Sequence, residues 1–216
     1  MAVPFEQRNF QKELERLIQK NEAAGMVPRL LLHSCCAPCS SYVIEYLSRF
    51  FSITVFYYNP NISNEKEYRK RVEEQKRFIS EFPAKHKVDF IEGDYDTKSF
   101  YDCAKGYESC KEGGERCFRC YELRLRKTAE LAEQMGVDYF TTTLTISPLK
   151  NSVKLNEIGL QLEHEYGVKY LLSDFKKKEG YKRSIQLSKE YNLYRQNFCG
   201  CVYSMNCMQT EEKSVD

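Results

Sequence analysis

The clearest structural signal in this 216-residue chain is the stretch Arg29-Leu-Leu-Leu-His33, which runs directly into Ser34-Cys-Cys-Ala-Pro-Cys39. A short apolar run bounded by turn-forming residues is typical of a buried strand. In an open α/β sheet, ligands bind beyond the carboxyl ends of the strands. The stretch therefore predicts a strand with three cysteines at the ligand-binding edge of a sheet.

Apolar runs and amphipathic segments alternate on both sides of this stretch. We predict strands at residues 29–33, 53–58, 88–91, 138–143 and 168–171, and helices at 5–23, 40–50, 64–82, 97–104, 117–135, 151–166 and 180–190. Asn64 with Glu67 is typical of a helix start, and Gly136 of a helix end. The alternation predicts a doubly wound, parallel, five-stranded α/β sheet. We expect an amino-terminal helical extension (1–28), a single α/β catalytic domain (29–203) and a tail (204–216).

The composition indicates a globular protein with an unusual number of thiols. Hydrophobic residues make up 42% of the chain and charged residues 30%, and ten cysteines accompany no tryptophan. The amino terminus lacks the pattern of a secretory signal, and apolar runs such as 50–58 are too short to span a membrane. We therefore expect a cytoplasmic protein without a membrane partner. Clustered thiols in a reducing compartment more often bind metal or carry out redox chemistry than form structural disulfides.

Seven cysteines form three groups, and their spacing suits metal or redox chemistry. The groups are Cys35, Cys36 and Cys39; Cys117 and Cys120; and Cys199 and Cys201. The first two groups each begin a predicted helix, where the helix dipole favours thiolates. Together they can supply four thiolates to an iron–sulfur cluster or to a structural zinc, and both readings stay open here. Adjacent cysteines and a Cys-Gly-Cys pair favour redox chemistry, whereas Cys103, Cys110 and Cys207 are expected to be bystanders.

Six strings in the chain resemble one known family. They are residues 31–42 (LLHSCCAPCSSY), 56–62 (FYYNPNI), 92–96 (EGDYD), 115–121 (ERCFRCY), 141–148 (TTTLTISP) and 194–201 (YRQNFCGC). Together they are similar to the cobalamin-independent epoxyqueuosine reductases, the QueH family. The resemblance covers residues 30–203 and implies an oxidoreductase. Its reaction is reduction of the epoxide of epoxyqueuosine, at the wobble position of a tRNA anticodon, to queuosine, the last step of queuosine biosynthesis.

The resemblance also implies cofactors and site residues. Cys35, Cys36, Cys117 and Cys120 match the ligands of a 4Fe-4S cluster, and Cys199 with Cys201 matches a redox-active pair. Cys39 matches a position suited to a second metal, such as a mononuclear iron. The implied fold is similar to the nucleotide α-hydrolase (HUP-like) sheet of the tRNA thiolases. Because the cysteine motif stands where those thiolases have a glycine-rich pyrophosphate loop, ATP use is not expected. The resemblance to a cobalamin-independent family implies that cobalamin is not used either.

Epoxide removal requires two electrons, two protons and the release of one water. A cluster passes one electron at a time. The Cys199/Cys201 dithiol or a second iron could provide the second electron. The electron donor in the cell is unidentified. Candidates for the proton donor are His33 and Tyr42 beside the first motif, and Asp94 and Asp96 beyond the third strand. Structural roles for His33, as a strand cap, and for Tyr42, in helix packing, stay open.

A tRNA substrate calls for phosphate contacts and aromatic stacking. The predicted tRNA-binding residues are Lys176, Lys177, Lys178, Lys182, Arg183 and Arg195, interleaved with Tyr181, Tyr191 and Tyr194. A solvated helix face is the alternative reading of this charge run. Weaker candidates are Arg124, Arg126 and Lys127 for tRNA, and Tyr57, Tyr58 and Asn59 for the modified base.

Two other functions compete with the reductase. One is an iron–sulfur tRNA thiolase on the same sheet, against which the missing glycine-rich loop argues. The other is a zinc-stabilised RNA-binding module without catalysis, which metal content would distinguish from the reductase.

Overall fold

The computed structural model describes residues 4–205 and contains one parallel, five-stranded sheet. Its strands are β1 (Arg29–His33), β2 (Ser52–Tyr57), β3 (Val88–Glu92), β4 (Tyr139–Thr142) and β5 (Lys169–Tyr170), in the spatial order β3-β2-β1-β4-β5. Seven α-helices accompany them: α1 (Phe10–Ala23), α2 (Ala37–Leu47), α3 (Glu65–Glu81), α4 (Thr97–Ala104), α5 (Glu115–Met135), α6 (Ser152–Tyr166) and α7 (Gly180–Glu190). The predicted doubly wound α/β sheet is confirmed.

The largest differences from the predicted helix starts are in α1 and α2, and both have local reasons. Helix α2 begins at Ala37 rather than at residue 40, because Pro38 lies in the first turn, where its missing N–H costs no hydrogen bond. The amino-terminal helix is divided into a 3₁₀ turn, Phe5–Gln7, and α1, whose cap Asn9 accepts a hydrogen bond from the Lys12 N–H. The predicted cap Asn64 accepts from the Glu67 N–H at 3.1 Å, and Gly136 ends α5 with φ at +57°. Local cap chemistry thus sets these helix ends.

Strand β1 is the centre of the molecule. It pairs with β2 on one side and β4 on the other, and its leucines alternate between two cores. Leu30 and Leu32 pack with α1, α2 and α3, whereas Leu31 packs with α5 and α6. The continuous apolar run is therefore explained by burial on both faces of the sheet.

The order of the strands creates one crevice at the carboxyl edge. From β1 the chain proceeds to β2 and β3 on one side, and it then returns to β4 and β5 on the other. The loops that leave β1 and β4 consequently diverge, which is where doubly wound sheets bind ligands. Cys35, after β1, donates its backbone N–H to the hydroxyl of Thr143, after β4, at 3.3 Å. The first cysteine group therefore lies at this switch point.

Helix α1 packs on the sheet domain, because Leu14 and Ile18 belong to the same core as Leu47 and Phe51. Most of the proposed tail, including Cys207, lies outside the described residues. Across residues 4–205, none of the helices combines the length and the apolar character that a membrane crossing needs.

Candidate active site

Cys35, Cys36 and Cys39 form a compact thiol group where β1 enters α2. Their sulfur atoms all lie within 4.8 Å of one another, and the Sγ atoms of Cys35 and Cys36 are 3.8 Å apart. Hydrogen bonds from Cys36 and Cys39 lower the pKa of Cys35 well below that of an ordinary thiol. The same contact with Cys35 raises the pKa of Cys36 to about 12. Within this group, a negative charge is therefore best stabilised on Cys35.

A second thiol group, Cys117, Cys120, Cys199 and Cys201, lines a narrow cavity. Cys117 lies in the first turn of α5 and accepts a hydrogen bond from the Gly113 N–H at 3.3 Å. Cys120, one turn further along the helix, is buried, and this burial raises its pKa to about 12. The pair at the start of α5 and the Cys-Gly-Cys pair thus meet in space although they are far apart in sequence.

The two groups are separate but share a wall. Arg124, Lys150 and Cys199 line both the narrow cavity and a larger one that contains Cys35, Cys36 and Cys39. Among residues 4–205, only Cys35, Cys36 and Cys39 form a compact set of three metal-ligating side chains. The four predicted cluster ligands are therefore divided between the two cavities, and their assignment stays a prediction.

Arg124 is a buried cation beneath the thiols rather than a surface contact for tRNA. Its side chain is 1% exposed, so the weaker prediction that it meets the tRNA backbone is wrong. One guanidinium nitrogen donates to the Asn59 Oδ1 at 2.5 Å, and Nε approaches the His33 Nε2 at 3.3 Å. The thiols Cys120 and Cys35 raise its pKa against the effect of burial. Arg124 thus offsets negative charge on both thiol groups.

Lys150 is a site residue that the sequence analysis missed. Its Nζ lies 3.8 Å from the Sγ of Cys199, and the charge of Cys199 raises the pKa of Lys150. No carboxylate in the described part of the chain forms an ion pair with it. Lys150 lies just beyond the string 141–148, after Leu149, and no spacing pattern in the sequence connects it with Cys199.

The segment that carries Cys199 and Cys201 is held by side chains from other elements. The Cys199 carbonyl accepts hydrogen bonds from Arg71 on α3 at 3.3 Å and from Asn61 at 3.4 Å. Gly200 has φ at +107°, and a Cβ there would lie 2.9 Å from Ile62. The middle residue of Cys-Gly-Cys therefore has to be glycine for this geometry.

The larger cavity has a volume of about 840 Å³, which is in the range of pockets that bind small organic ligands. Four cationic residues line it, Arg71, Arg124, Lys150 and Arg195, against a single acidic one, Glu112. Leu149 and Tyr181 also line it and are 75% and 37% exposed. The cavity therefore combines thiols, positive charge and exposed apolar surface.

None of the predicted proton donors lines either cavity. His33 is fully buried between the Thr142 hydroxyl, at 2.8 Å, and the Tyr58 carbonyl, at 3.1 Å. Burial, helped by the charge of Arg124, lowers the His33 pKa to about 3, so the imidazole is neutral. Its role in the structure is to support the crevice, because its ring nitrogens are occupied.

The other three candidates are also placed elsewhere. Asp94 is exposed, and Asp96 caps α4 through the Ser99 N–H at 3.2 Å. Tyr42 stacks on Tyr46 with ring centroids 6.0 Å apart. Lys150, by contrast, lines both cavities.

Most of the predicted tRNA-binding residues have acidic neighbours. Lys176 pairs with Asp174 at 2.6 Å, Lys178 with Glu15, Lys182 with Glu179 and Arg183 with Glu45 and Glu190, whereas Lys177 is exposed. Arg195 is the one of the six that lines the larger cavity. The tRNA interface stays a prediction, and Arg195 is its member nearest to the thiols.

The aromatic candidates divide in the same way. Tyr181 lines the larger cavity, whereas Tyr191 packs on Phe78 and the Tyr194 hydroxyl donates to Glu67. Tyr57 and Tyr58 are core residues, and Asn59 lines the cavity.

Sequence comparisons indicate the family of proteins to which this site is similar. A protein-family model described as "Epoxyqueuosine reductase QueH" matches residues 30–207. A protein of that name from Streptococcus pyogenes serotype M1 is 43% identical over 93% of this chain and 80% of its own length. The protein of that name from Thermotoga maritima is 36% identical over 87% of this chain and 94% of its own length.

A structural comparison supports the fold. The U34-tRNA thiolase NcsA from Methanococcus maripaludis, solved with its [4Fe-4S] cluster, superposes with a TM-score of 0.52. The match covers 90% of this chain and 68% of the thiolase at 14% sequence identity. The likeness at this identity concerns the arrangement of the sheet and its helices.

Proposed function

The chain belongs to the epoxyqueuosine reductase QueH family, and on this premise we propose how its thiols and cations carry out the reaction. The activity is that of an oxidoreductase that removes the epoxide oxygen of epoxyqueuosine in tRNA. The observation that carries the proposal is the convergence of seven thiols and two cations, Arg124 and Lys150, on adjoining cavities at the switch point of the sheet.

The donor set fits an iron–sulfur cluster. Thiolates are the usual ligands of such clusters, and the two cavities are lined by seven cysteines together with the cations Arg124 and Lys150. We assign Cys35, Cys36, Cys117 and Cys120 as the residues that would hold a 4Fe-4S cluster, and Cys39 as a ligand for a second iron. When bound, the cluster supplies single electrons.

Cys199 and Cys201 are the redox pair in this proposal. Conversion of the epoxide to an alkene consumes two electrons and two protons and releases one water. Oxidation of the two thiols to a disulfide releases two electrons and two protons, so this pair alone balances the reaction. An unidentified donor then has to return two electrons and two protons to the pair. Neither cobalamin nor ATP has a place in this balance.

The larger cavity is the proposed site for the modified base. Its volume suits one nucleoside with its substituent, and its cationic lining suits a ligand attached to phosphates. Arg195 and the exposed Tyr181 lie where the neighbouring nucleotides would enter. The remaining predicted contacts, Lys176, Lys177, Lys178, Lys182 and Arg183, would extend this surface. A tRNA substrate agrees with the predicted cytoplasmic location.

The two competing functions are not favoured. The matching relatives are named as reductases, and the thiolase resembles the chain only in fold. A zinc-stabilised module without catalysis does not agree with membership in an oxidoreductase family.

The test is a direct assay. Anaerobically purified protein is incubated with a chemical reductant and tRNA that contains epoxyqueuosine, and the nucleosides are analysed by mass spectrometry. We expect loss of one oxygen atom without added cobalamin or ATP. The double variant Cys199→Ser/Cys201→Ser should lose turnover, whereas Cys110→Ser, a thiol outside both cavities, should keep it. Unchanged turnover in the double variant would exclude the dithiol as the electron source.

A further inference from the structure

Leu149 is an apolar side chain that the fold holds in solvent at the larger cavity. It is 75% exposed, the highest fraction among the five large apolar side chains that are exposed in residues 4–205. A single exposed leucine is ordinary, but Leu149 and the exposed Tyr181 line the same cavity. Two others, Met26 and Val27, precede β1 and lie at the opposite edge of the sheet. Exposed apolar surface is thus present at the mouth of the site.

The turn that carries Leu149 is fixed before any ligand binds. The Lys150 N–H donates to the Ser147 carbonyl at 3.2 Å, and the Leu149 N–H donates to the Ser147 hydroxyl at 3.3 Å. Pro148 restricts the backbone within the turn, and Asn151 caps α6 directly after it. A contact made by Leu149 therefore costs little ordering of the chain.

The same turn reaches into the cavity with its next residue. The Nζ of Lys150 lies 3.8 Å from the Sγ of Cys199, whereas the side chain of Leu149 remains in solvent. Neighbouring Cα atoms are only about 3.8 Å apart. A ligand that approaches Cys199 through the larger cavity consequently lies beside Leu149.

The ligand proposed for this cavity is a base from a single-stranded loop. Such a base stacks on its neighbours, and it has to leave the stack before it can enter a pocket. An apolar side chain that takes the vacated place restores contact with the flanking bases. The exposed Arg195 lines the same cavity and supplies positive charge for the phosphates of that strand.

Resting on the proposed site for the modified base, we propose that Leu149 inserts into the anticodon stack where the modified base has left it. The occupants of the exposed apolar surface are the two bases that flank the modified one, and Tyr181 offers a stacking face to one of them. Leu149 touches these bases and not the reacting atoms, so it is a positioning residue. It favours a base held in a loop strand.

The first experiment compares capture with chemistry. Full-length, iron-loaded protein reduces an anticodon stem-loop that carries epoxyqueuosine, with dithionite as the electron source. Leu149→Ala should lower kcat/KM about tenfold, mainly through KM, because the contact is present both before and during the reaction. Leu149→Met keeps an apolar side chain and should stay within about threefold of the unmodified protein. Met26→Ala, at the opposite edge of the sheet, is the matched control and should change nothing.

The second experiment is a double-mutant cycle with the RNA. Two further stem-loops each lack one of the bases that flank the modified nucleotide. If Leu149 packs on those bases, the loss caused by Leu149→Ala should fall from about tenfold to less than about threefold on at least one of them. An undiminished loss on both would show that Leu149 does not contact the bases, and it would overturn the proposal.

Binding titrations of the intact stem-loop measure the same contact without turnover. Equal affinity of Leu149→Ala and the unmodified protein would also overturn the proposal. This result is expected if the apolar surface serves a protein partner, since no partner is present in these experiments. Absence of turnover in the unmodified protein would reject the proposed function, whereas normal turnover with equal affinities would reject only the role of Leu149.

Discussion

The two walls of the larger cavity are built in different ways. The first wall is the β1–α2 junction with Cys35, Cys36 and Cys39, which follow one another in sequence. The second wall is the carboxyl-terminal segment 195–201, which contains no strand or long helix. Backbone pairing and a helix start fix the first wall, whereas side chains of α3 and of the loop after β2 fix the second.

Because of this difference, substitutions in the two walls should have different effects. The first wall depends on the identity of its thiols, because its backbone is determined by the central strand and by α2. The second wall depends on distant contacts as much as on its own residues, because a segment without regular structure gains its order from them. Variants in the two walls should therefore fail in different assays.

Loss of a thiol in the first wall should abolish activity. We expect Cys35→Ser to lower the iron content and to reduce epoxide reduction at least about 100-fold, because a ligand and the charged sulfur of the group are lost together. Iron analysis and the nucleoside assay measure the two effects. Cys110→Ser is the control. A Cys35→Ser protein with full iron content and full turnover would show that Cys35 is not a cluster ligand.

Loss of Arg71 should destabilise the second wall. Its side chain is 2% exposed and pairs with Glu67 at 2.7 Å while it holds the Cys199 carbonyl. We expect Arg71→Met to lower the free energy of unfolding by about 3 kcal/mol, as when one partner of a buried ion pair is removed.

Denaturant titration measures this effect, and the neighbouring Arg69 provides the control. Arg69 is 54% exposed, so Arg69→Met should cost at most about 1 kcal/mol. Equal losses in the two variants would contradict the anchoring role of Arg71.

Acid should lower the stability of the folded protein through His33, which supports the first wall. The folded-state pKa of His33 is about 3, below the ordinary value of 6.5. The unfolded chain therefore binds a proton that the folded protein excludes. The resulting stability is present above pH 6.5 and is lost as the pH falls from 6.5 towards 3.

The corresponding slope is about 1.4 kcal/mol per pH unit within that window. Denaturant midpoints measured across it should fall less steeply for His33→Asn than for the unmodified protein. His164→Asn, a change at an exposed histidine, should keep the original slope. A parallel response of all three proteins would show that His33 does not titrate in this way.

The smallest effect is expected for Arg195, at the start of the second wall. Arg195→Gln should weaken tRNA binding a few-fold. It should also reduce the slope of log affinity against log salt concentration by about one, as expected for the loss of one phosphate contact. Lys182, paired with Glu179 at 2.7 Å, provides the comparison, since Lys182→Gln should change the salt slope less. Binding titrations at several salt concentrations measure the slope for both variants. A larger change of slope in Lys182→Gln than in Arg195→Gln would place the tRNA interface on α7 instead.

The first wall was predictable from sequence and the second was not. The apolar run 29–33 and the cysteines behind it contain the strand, its end and the helix start in one continuous stretch. The cap Asn64 and the terminal Gly136 are local signals of the same kind. Helix α2 starts before its predicted first residue because Pro38 lies in its first turn instead of marking a boundary.

The roles of Arg124 and His33 depend on distant contacts that the sequence does not show. Arg124 looks like part of a basic surface stretch, yet the packing of α5 on the sheet buries it beside His33. His33 looks like an acid next to a cysteine motif, yet both of its ring nitrogens are occupied. No pattern within one segment reveals either partner.

The amino-acid sequence by itself determined the alternating α/β order, the three cysteine groups and the family resemblance, because each depends on neighbouring residues or on short motifs. Only the tertiary structure decided which thiols share a cavity, that Lys150 lies beside Cys199, and that Arg71 anchors the segment behind it. These contacts join residues far apart in the chain. Their energies depend on burial and distance, which are properties of the folded sheet.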